Sequence, residues 1–179
     1  MRRVMQGVAA VLVLLATVRP ALAQDLSAGL EAGPSFGLGT FGEGRTLETG
    51  WNVELSVPLA FQTSLFGAEL DLGYAEHPYS WSGGNGSVGI WTGNLSGVMR
   101  FKRRWTKLRP YLAVGLGAYY VEVPERNTVA PAGSLALGAH FGTGSLRGFV
   151  EARYHYVLTW DRALQFLPVT LGLRYALKL

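Results

Sequence analysis

Residues 168–179 read PVTLGLRYALKL and end the chain. From Val169 onward, every odd position carries a large apolar side chain, and every even position carries a small, polar or charged one. A period of two residues is typical of a β-strand with one apolar face and one polar face. A strand at the end of a chain presents an unpaired edge unless another strand covers it. We therefore predict that this strand pairs with the first strand of a closed barrel.

An export signal occupies the other end of the chain. Two arginines precede an apolar run at residues 8–18, which is too short for a spanning helix because such a helix needs about 20 apolar residues. Ala21-Leu22-Ala23 has the small-x-small pattern that signal peptidase cleaves. We predict a signal peptide at residues 1–23 and a barrel domain at residues 24–179, with a retained N-terminal anchor as the alternative.

The charge balance gives no support to nucleic-acid binding. The chain has 16 basic and 12 acidic residues, and since the predicted cleavage removes three arginines, 13 basic residues remain against 12 acidic ones. The absence of Cys excludes a disulfide framework, a thiolate metal site and a Cys nucleophile. We expect no nucleic-acid partner and no cofactor.

The length of the predicted barrel domain fits eight strands. The 179 residues less the 23 of the signal peptide leave 156, and a spanning strand needs about 9–11 residues plus a connection. Alternating segments predict strands at Leu26–Phe36, Trp51–Phe61, Phe66–Ala75, Gly89–Lys102, Pro110–Val121, Leu135–Phe141, Phe149–Tyr156 and the terminal stretch. Longer outer loops are predicted between alternate pairs of strands, at residues 38–50, 77–87, 122–133 and 157–167.

Several of these segments resemble the small outer-membrane barrels of the OmpA/OmpX type. The similarity is carried by the signal peptide, by RPYLAVGLGAYY at Arg109–Tyr120, by FVEARYHY at Phe149–Tyr156 and by the alternating terminal strand. The resemblance implies an all-β fold, a closed eight-stranded antiparallel up-and-down transmembrane β-barrel in the bacterial outer membrane. It also implies a monomer in contact with outer-membrane lipids, whose C-terminal strand the barrel-assembly machinery recognises. That group usually ends in Phe, whereas this chain ends in Leu179.

A soluble eight-stranded barrel of the lipocalin kind is the alternative fold, because alternation alone does not show which face points inward. The polar face of the predicted strands is rich in Gly, Ala and Ser, as a narrow and filled lumen requires. A water-exposed face would carry more lysines, and the predicted mature chain has only Lys102, Lys107 and Lys178. The composition therefore favours the membrane barrel.

Charged residues fall on the predicted inner face of the strands. Strand parity directs acids and arginines to the lumen, namely Glu54, Glu69, Asp71, Glu151, Arg100, Arg153 and Arg174. Eight strands enclose side chains but no aqueous channel, and charges buried there must pair. We predict a structural plug in which Glu151 is a partner of Arg174, with a gated proton or ion path as the alternative.

The predicted outer loop at residues 77–87 is the candidate contact surface. It carries His77, Tyr79 and Trp81 beside a Gly-rich tip, and loops on a rigid scaffold are where binding residues concentrate. The three histidines of the chain are too scattered to propose a metal site. We therefore expect outer-loop contact through these three residues and no metal.

Two enzyme patterns that occur in small barrels are incomplete in this chain. Lipid A deacylases place a His and a Ser two residues apart on a late strand, but the residue two positions after His155 is Val157. A set of the lipid A palmitoyltransferase kind would use polar residues at the outer rim, where His77, Ser80 and Asp161 have no diagnostic spacing. We predict a non-enzymatic barrel for envelope integrity or surface contact through its outer loops. The alternatives are a lipopolysaccharide or small-amphiphile binder, a lipid A-modifying enzyme and a soluble lipocalin-like binder.

A basic turn is predicted between the fourth and fifth strands, where residues 100–109 hold six basic residues. Because the mature chain starts in the periplasm, an even number of crossings returns this turn to the periplasmic side. Anionic headgroups attract cations at such a surface, and a Trp anchors the interface. We predict anionic lipid contact through Arg103, Arg104, Trp105, Lys107 and Arg109.

Cleavage at the predicted site gives the mature protein a defined first residue. N-terminal sequencing of the protein from the cell envelope is expected to yield Gln24-Asp25-Leu26, because Ala23 is the last small residue of the cleavage pattern. An intact Met1 in the envelope protein would contradict the export prediction.

Overall fold

The structure is a computed structural model, and it describes residues 26–41, 44–59, 65–101, 108–124, 126–159 and 163–177. These residues form strands β1 (Leu26–Gly37), β2 (Thr40–Phe41), β3 (Arg45–Leu47), β4 (Gly50–Pro58), β5 (Phe66–Trp81), β6 (Gly84–Arg100), β7 (Arg109–Val123), β8 (Arg126–Phe141), β9 (Leu146–Val157) and β10 (Leu164–Leu177). Within the described ranges, no helix is long and apolar enough to cross a membrane. The predicted signal peptide and Leu179 lie outside the described residues.

The eight long strands form one closed antiparallel barrel. Each pairs with the next long strand along the chain, and β10 returns to pair with β1. The short strands β2 and β3 form a hairpin that extends the sheet beside the outer end of β5. Closure gives each of these long strands a partner on both sides, which removes the edges that an open sheet would present. The predicted closed eight-stranded up-and-down barrel is confirmed.

The seam that closes the barrel follows the alternation of the terminal sequence. Leu30 of β1 lies opposite Leu173 of β10, and both side chains are exposed on the outside. Glu31, the next residue of β1, lies opposite Gly172 and is buried inside. Because successive side chains of a strand point to opposite faces, this register sends the seam leucines outward and the small or polar residues inward. The predicted pairing of the terminal strand with the first strand is confirmed.

Large apolar side chains cover the outside of the barrel. The most exposed of them include Leu30, Leu116, Val129, Leu137, Leu171 and Leu173. Aromatic rings gather at the end opposite the chain termini, where Tyr74 packs between Trp51 and Trp91 with centroids 5.4 and 4.8 Å away. An apolar outer band with aromatic residues at its border is the surface of a membrane barrel. A soluble lipocalin-like barrel would carry its apolar face inside, so that alternative is wrong.

The loop predicted at residues 77–87 is wrong, because β5 and β6 continue through it. The two strands stay paired up to Trp81 and Gly84, and only residues 82–83 form the turn. Most outward side chains of this extension, such as Ser80, are polar and lie beyond the aromatic border. The sequence prediction missed the strand because the apolar half of the alternation moves to the inner face at this height.

The loop predicted at residues 122–133 is wrong for the same reason. β7 and β8 remain paired up to Val123 and Arg126. The sixth predicted strand, Leu135–Phe141, therefore starts at Arg126 instead. Both hairpins project beyond the lipid-facing band as continuations of the sheet.

The outward and inward sides of β10 are expected to tolerate substitution differently. Leu171, which is 65% exposed, faces lipid, and Leu171→Arg is expected to lower the free energy of unfolding by roughly 2–4 kcal/mol near the midplane. The matched change Thr170→Ser keeps the inward hydroxyl that donates to Glu31 and is expected to be nearly silent. Urea titration of the barrel refolded in lipid vesicles measures both, and equal costs would show that the assigned facing is wrong.

Candidate functional site

The inner face of the barrel carries a charged cluster centred on Arg153. This side chain extends from β9, and the residue is 4% exposed. Its Nε donates to Glu151 Oε1 at 2.6 Å, and its Nη1 donates to Asp71 Oδ2 at 2.8 Å. Ser96 Oγ donates to the same Asp71 oxygen at 2.6 Å. The guanidinium therefore joins β9 to β5 across the lumen.

A second charged cluster lies nearer the end of the barrel that holds the chain termini. Arg174 donates twice to Glu69, from Nη1 to Oε1 at 2.8 Å and from Nη2 to Oε2 at 2.9 Å. Arg174 Nη2 also donates to Ser56 Oγ at 2.9 Å, and Arg100 Nη2 lies 3.4 Å from Glu69 Oε1. A bidentate guanidinium–carboxylate pair is among the strong hydrogen-bonded contacts in proteins. This pair connects β10 with β5, and the hydrogen bond to Ser56 adds β4.

The structure places the predicted lumen charges on the inner face. Residues two apart on a strand share a face. Glu69 and Asp71 are related in this way on β5, and Glu151 and Arg153 on β9. The predicted pairing of Arg174 with Glu151 is wrong, because Arg174 binds Glu69 and Glu151 binds Arg153. Parity assigns a side chain to a face, whereas the tilt and stagger of the strands decide which charges meet.

Aromatic rings lie over inward-facing glycines and fill the space around these charges. Phe149 lies against Gly172, where any side chain would collide with the ring. Tyr111 crosses Gly138 in the same way, and its hydroxyl donates to Glu151 at 2.6 Å. Small barrels fill their interior by alternating small and large side chains. The inward glycines thus make room for the rings and the ion pairs.

A neutral histidine ties together the outer end of the barrel. His77 lies on β5 and is fully buried, with its Nε2 2.9 Å from Ser35 Oγ and its Nδ1 2.9 Å from the carbonyl oxygen of Glu48. A carbonyl can only accept, so Nδ1 carries a hydrogen. Burial lowers the pKa of His77 and favours the neutral ring, in which Nε2 accepts from the Ser35 hydroxyl. The prediction of His77 as an outer-loop contact is wrong, because its side chain is enclosed and both ring nitrogens are engaged.

Tyr79 and Trp81, the other predicted contact residues, also lie on β5 and not in a loop. Tyr79 is buried and packs edge-to-face against Phe41 of β2. Trp81 is half-buried beside it, and Arg45 of β3 lies over both rings, 5.2 and 5.1 Å from their centroids. The β2–β3 hairpin therefore covers the outer end of the lumen. These two rings support that cover, which corrects the prediction that they form a free contact surface.

Glu31 is a lumen acid that sequence reasoning missed. It accepts a hydrogen bond from Thr170 Oγ1 and lies opposite Glu54 on the neighbouring strand. Parity could have found it, since it follows Leu30, a large apolar residue of the first predicted strand. Tyr111 was also missed, and it carries no comparable signal because a tyrosine ring suits either face of a membrane barrel.

Most of the predicted lipid-contact turn lies outside the described residues, and its lipid contact stays a prediction. Arg109 is described, and it is exposed at the start of β7. Arg100, which belongs to the same basic segment, points into the lumen toward Glu69. The residues outside the described ranges are Arg103, Arg104, Trp105 and Lys107.

Two of the polar residues considered for a catalytic set at the outer rim, His77 and Ser80, are not brought together. His77 points into the barrel, whereas Ser80 is an odd number of positions away on the same strand and points outward. Asp161 lies outside the described residues. The hydroxyl beside His77 is that of Ser35, which is equally buried.

Comparison with solved structures finds small outer-membrane barrels. Neisserial surface protein A aligns with a TM-score of 0.64 at 12% identity, over 85% of this chain and 97% of that one. The outer membrane protein AlkL aligns with a TM-score of 0.54 at 18% identity, over 91% and 94% of the two chains. The outer membrane protein OprG from Pseudomonas aeruginosa aligns with a TM-score of 0.52 at 10% identity, over 85% and 97%. No protein-family model matches the chain, and no curated protein matches it in sequence.

The fold and the outer surface together define the class of barrel. The chain shares its closed eight-stranded architecture with these bacterial outer-membrane proteins, and its outside is covered by apolar side chains such as Leu116. It is an outer-membrane-type transmembrane β-barrel. Identities this low show the fold alone, so function has to be argued from the site.

Removal of one member of the Arg174–Glu69 pair is expected to be costly. Arg174→Ala leaves a buried carboxylate without its bidentate partner, and breaking such a pair costs about 3–5 kcal/mol. A double-mutant cycle with Glu69→Ala, measured by urea unfolding, is expected to show a coupling energy of about 0.5–3 kcal/mol. The control cycle combines Arg174→Ala with Glu122→Ala at the outer end of β7 and is expected to be additive. Additivity in both cycles would reject the pairing.

Proposed function

We propose that the protein is a non-enzymatic outer-membrane barrel that acts at the cell surface through its outer hairpins. In this role it contributes to envelope integrity or to surface contact. The observation that carries the proposal is a lumen filled by ion pairs beneath sheet extensions that stand clear of the lipid-facing band.

The filled lumen argues against passage along the barrel axis. Arg153 reaches from β9 to Asp71 on β5 and crosses the interior. Tyr111 and Phe149 are buried and occupy the neighbouring space. Since an eight-stranded barrel is just wide enough for such side chains, its surface, rather than its interior, is available to partners.

The β5–β6 hairpin presents a rigid polar surface beyond the lipid-facing band. Its strands pair without interruption up to the turn. The outward positions near its tip carry Ser80, Asn85 and Ser87. On the inner side, Tyr79 packs against Phe41 and anchors the hairpin to the barrel. Polar groups held in place on a rigid scaffold suit recognition of a surface partner.

A lipopolysaccharide or small-amphiphile binder is the second candidate, and the aromatic border favours it. Trp51, Tyr74 and Trp91 form a continuous ladder of rings on the outside of the barrel, and both tryptophans are exposed. Amphipathic rings lie at headgroup level in membrane interfaces. At that level they would contact the boundary between the sugars and the acyl chains of an amphiphile.

Outward substitutions on the hairpin test the first candidate without disturbing its buried side. Ser80→Lys, Asn85→Lys and Ser87→Lys together add positive charge to the hairpin surface and leave Tyr79 in place. Cells that display this triple variant are expected to lose most of their protein-dependent adhesion to extracellular-matrix and abiotic surfaces. The matched control is Thr143→Lys, in the turn at the opposite end of the barrel, which is expected to keep wild-type adhesion.

Heat-dependent migration in SDS gels verifies that each variant is folded. Equal adhesion by cells with and without the protein would overturn the surface-contact proposal. Unchanged adhesion of the triple variant, with lost binding to lipopolysaccharide vesicles in a Trp51→Ala/Trp91→Ala variant, would favour the second candidate instead.

A further inference from the structure

Two buried glutamates oppose each other on neighbouring strands. Glu31 of β1 and Glu54 of β4 are direct cross-strand partners, and they are 3% and 4% exposed. Directly opposed side chains on one face of a sheet have Cβ atoms about 4.5–5.5 Å apart, and like charges in this position repel. Two ionised carboxylates are stable here only if positive charge lies between them.

A third carboxylate, from a nearby strand on the same side of the barrel, joins this pair. Glu151 reaches in from β9, and one carboxylate oxygen from each of Glu31, Glu54 and Glu151 lies within 4.8 Å of the other two. The three strands β4, β1 and β9 lie on one side of the barrel, with only β10 between β1 and β9. The oxygens of this group therefore converge on a single small volume.

The neighbouring guanidinium does not neutralise the group. Arg153 donates to Glu151 and to Asp71, so its charge already serves two carboxylates. Glu54 Oε1 accepts no hydrogen bond within the described part of the chain, and Arg153 Nε stands 3.7 Å from it. With Glu31 included, four carboxylates share one guanidinium, which leaves three negative charges in excess when all four are ionised.

A neutral side chain outside the acidic group also points to a ligand. Thr92 of β6 is 5% exposed, and its hydroxyl has no hydrogen-bond partner among the described residues. Gly73 separates it from Glu54, and a Cβ at this glycine would lie 2.7 Å from Thr92 Oγ1 and 3.3 Å from Glu54 Cβ. The unused hydroxyl therefore lies over Gly73, whose other cross-strand neighbour is Glu54, the glutamate whose Oε1 lacks a donor. Buried polar groups without partners are rare and call for an explanation.

We propose that Glu31, Glu54 and Glu151 form a binding site for a divalent cation, and that Ca²⁺ is the ion that fits. The available ligand atoms are oxygens, which hard cations prefer. Ca–O bonds of about 2.3–2.6 Å allow two ligand oxygens to lie up to about 4.6–5.2 Å apart, and the three carboxylate oxygens lie within 4.8 Å of one another. Mg²⁺ demands near-ideal octahedral geometry at shorter distances, whereas Ca²⁺ accepts irregular sets of oxygens such as this one.

The bound ion would strengthen the closed state of the barrel. Its two positive charges would offset two of the three excess negative charges, and it would join β1 and β4 to β9 beside the closing seam. Any ligand that binds the folded state alone raises its stability. The site therefore predicts a barrel whose resistance to unfolding depends on Ca²⁺, independently of what its outer hairpins contact.

Refolding with and without the ion tests the site. Wild-type protein is refolded from urea into detergent micelles with Ca²⁺, with Mg²⁺ or with a chelator, then desalted and assayed for metal by mass spectrometry. We expect one Ca²⁺ per chain and a higher urea midpoint of unfolding in Ca²⁺ than in chelator, with a smaller shift in Mg²⁺.

A double variant and a matched control locate the ion. Glu31→Gln with Glu54→Gln keeps the shape of both side chains but removes their charge, and it is expected to weaken Ca²⁺ binding by about ten-fold or more and to abolish the shift in midpoint. The control Glu122→Gln removes one carboxylate charge on the outside of β7, away from the lumen. It is expected to retain both Ca²⁺ binding and the shift in midpoint.

Two results would overturn the proposal. A wild-type barrel that folds without metal, and is as stable in chelator as in Ca²⁺, would show that protons neutralise these carboxylates instead. Equal Ca²⁺ binding by the double variant would place the ion elsewhere. If the double variant fails to fold, a comparison of the Ca²⁺ content of the wild type with that of the single variant Glu54→Gln shows whether the ion binds at these glutamates.

Discussion

Closure of the backbone hydrogen-bond ladder is the constraint on which the rest of the structure depends. No water replaces a missing partner inside a bilayer, so a sheet crosses it only when its first and last strands pair. The seam between β1 and β10 supplies this pairing, from Leu26 opposite Leu177 to Gly37 opposite Phe166. Once its register is set, every side chain of the spanning strands faces either lipid or lumen, and a slip of one residue would exchange the two faces.

The closed barrel creates a second constraint, because a narrow lumen has to be filled and its charges have to pair. Here Arg153 and Arg174 reach across to carboxylates on other strands. Buried ion pairs are weak evidence for stability, since apolar replacements are often neutral or better. In this barrel they distinguish the correct register from its neighbours, because a slipped strand would turn its charges toward lipid. The excess of acids around Arg153 goes beyond that role and motivates the proposed cation site.

In the outer part of the molecule, apolar side chains point inward and polar ones outward, which is the reverse of their facing in the membrane-spanning part. Beyond the aromatic border, inward side chains such as Tyr79, Ile90 and Phe166 form an apolar core, and outward ones such as Ser80 are polar. The sheet continues across this border without a break, while its surroundings change from lipid to water. A prediction that relied on outward apolar residues therefore ended the strands too early and assigned loops in their place.

Alternation in residues 168–179 and in the other spanning segments was sufficient to predict the spanning strands, the closed barrel and the inward face of lumen charges such as Glu69 and Arg174, because a period of two is a local property of the chain. The partners of those charges were not predictable in the same way. Arg174 meets Glu69, and Glu31 opposes Glu54, through contacts between segments far apart in the sequence. Those contacts depend on the stagger and tilt of strands around the closed barrel, which exist only after all eight strands have paired.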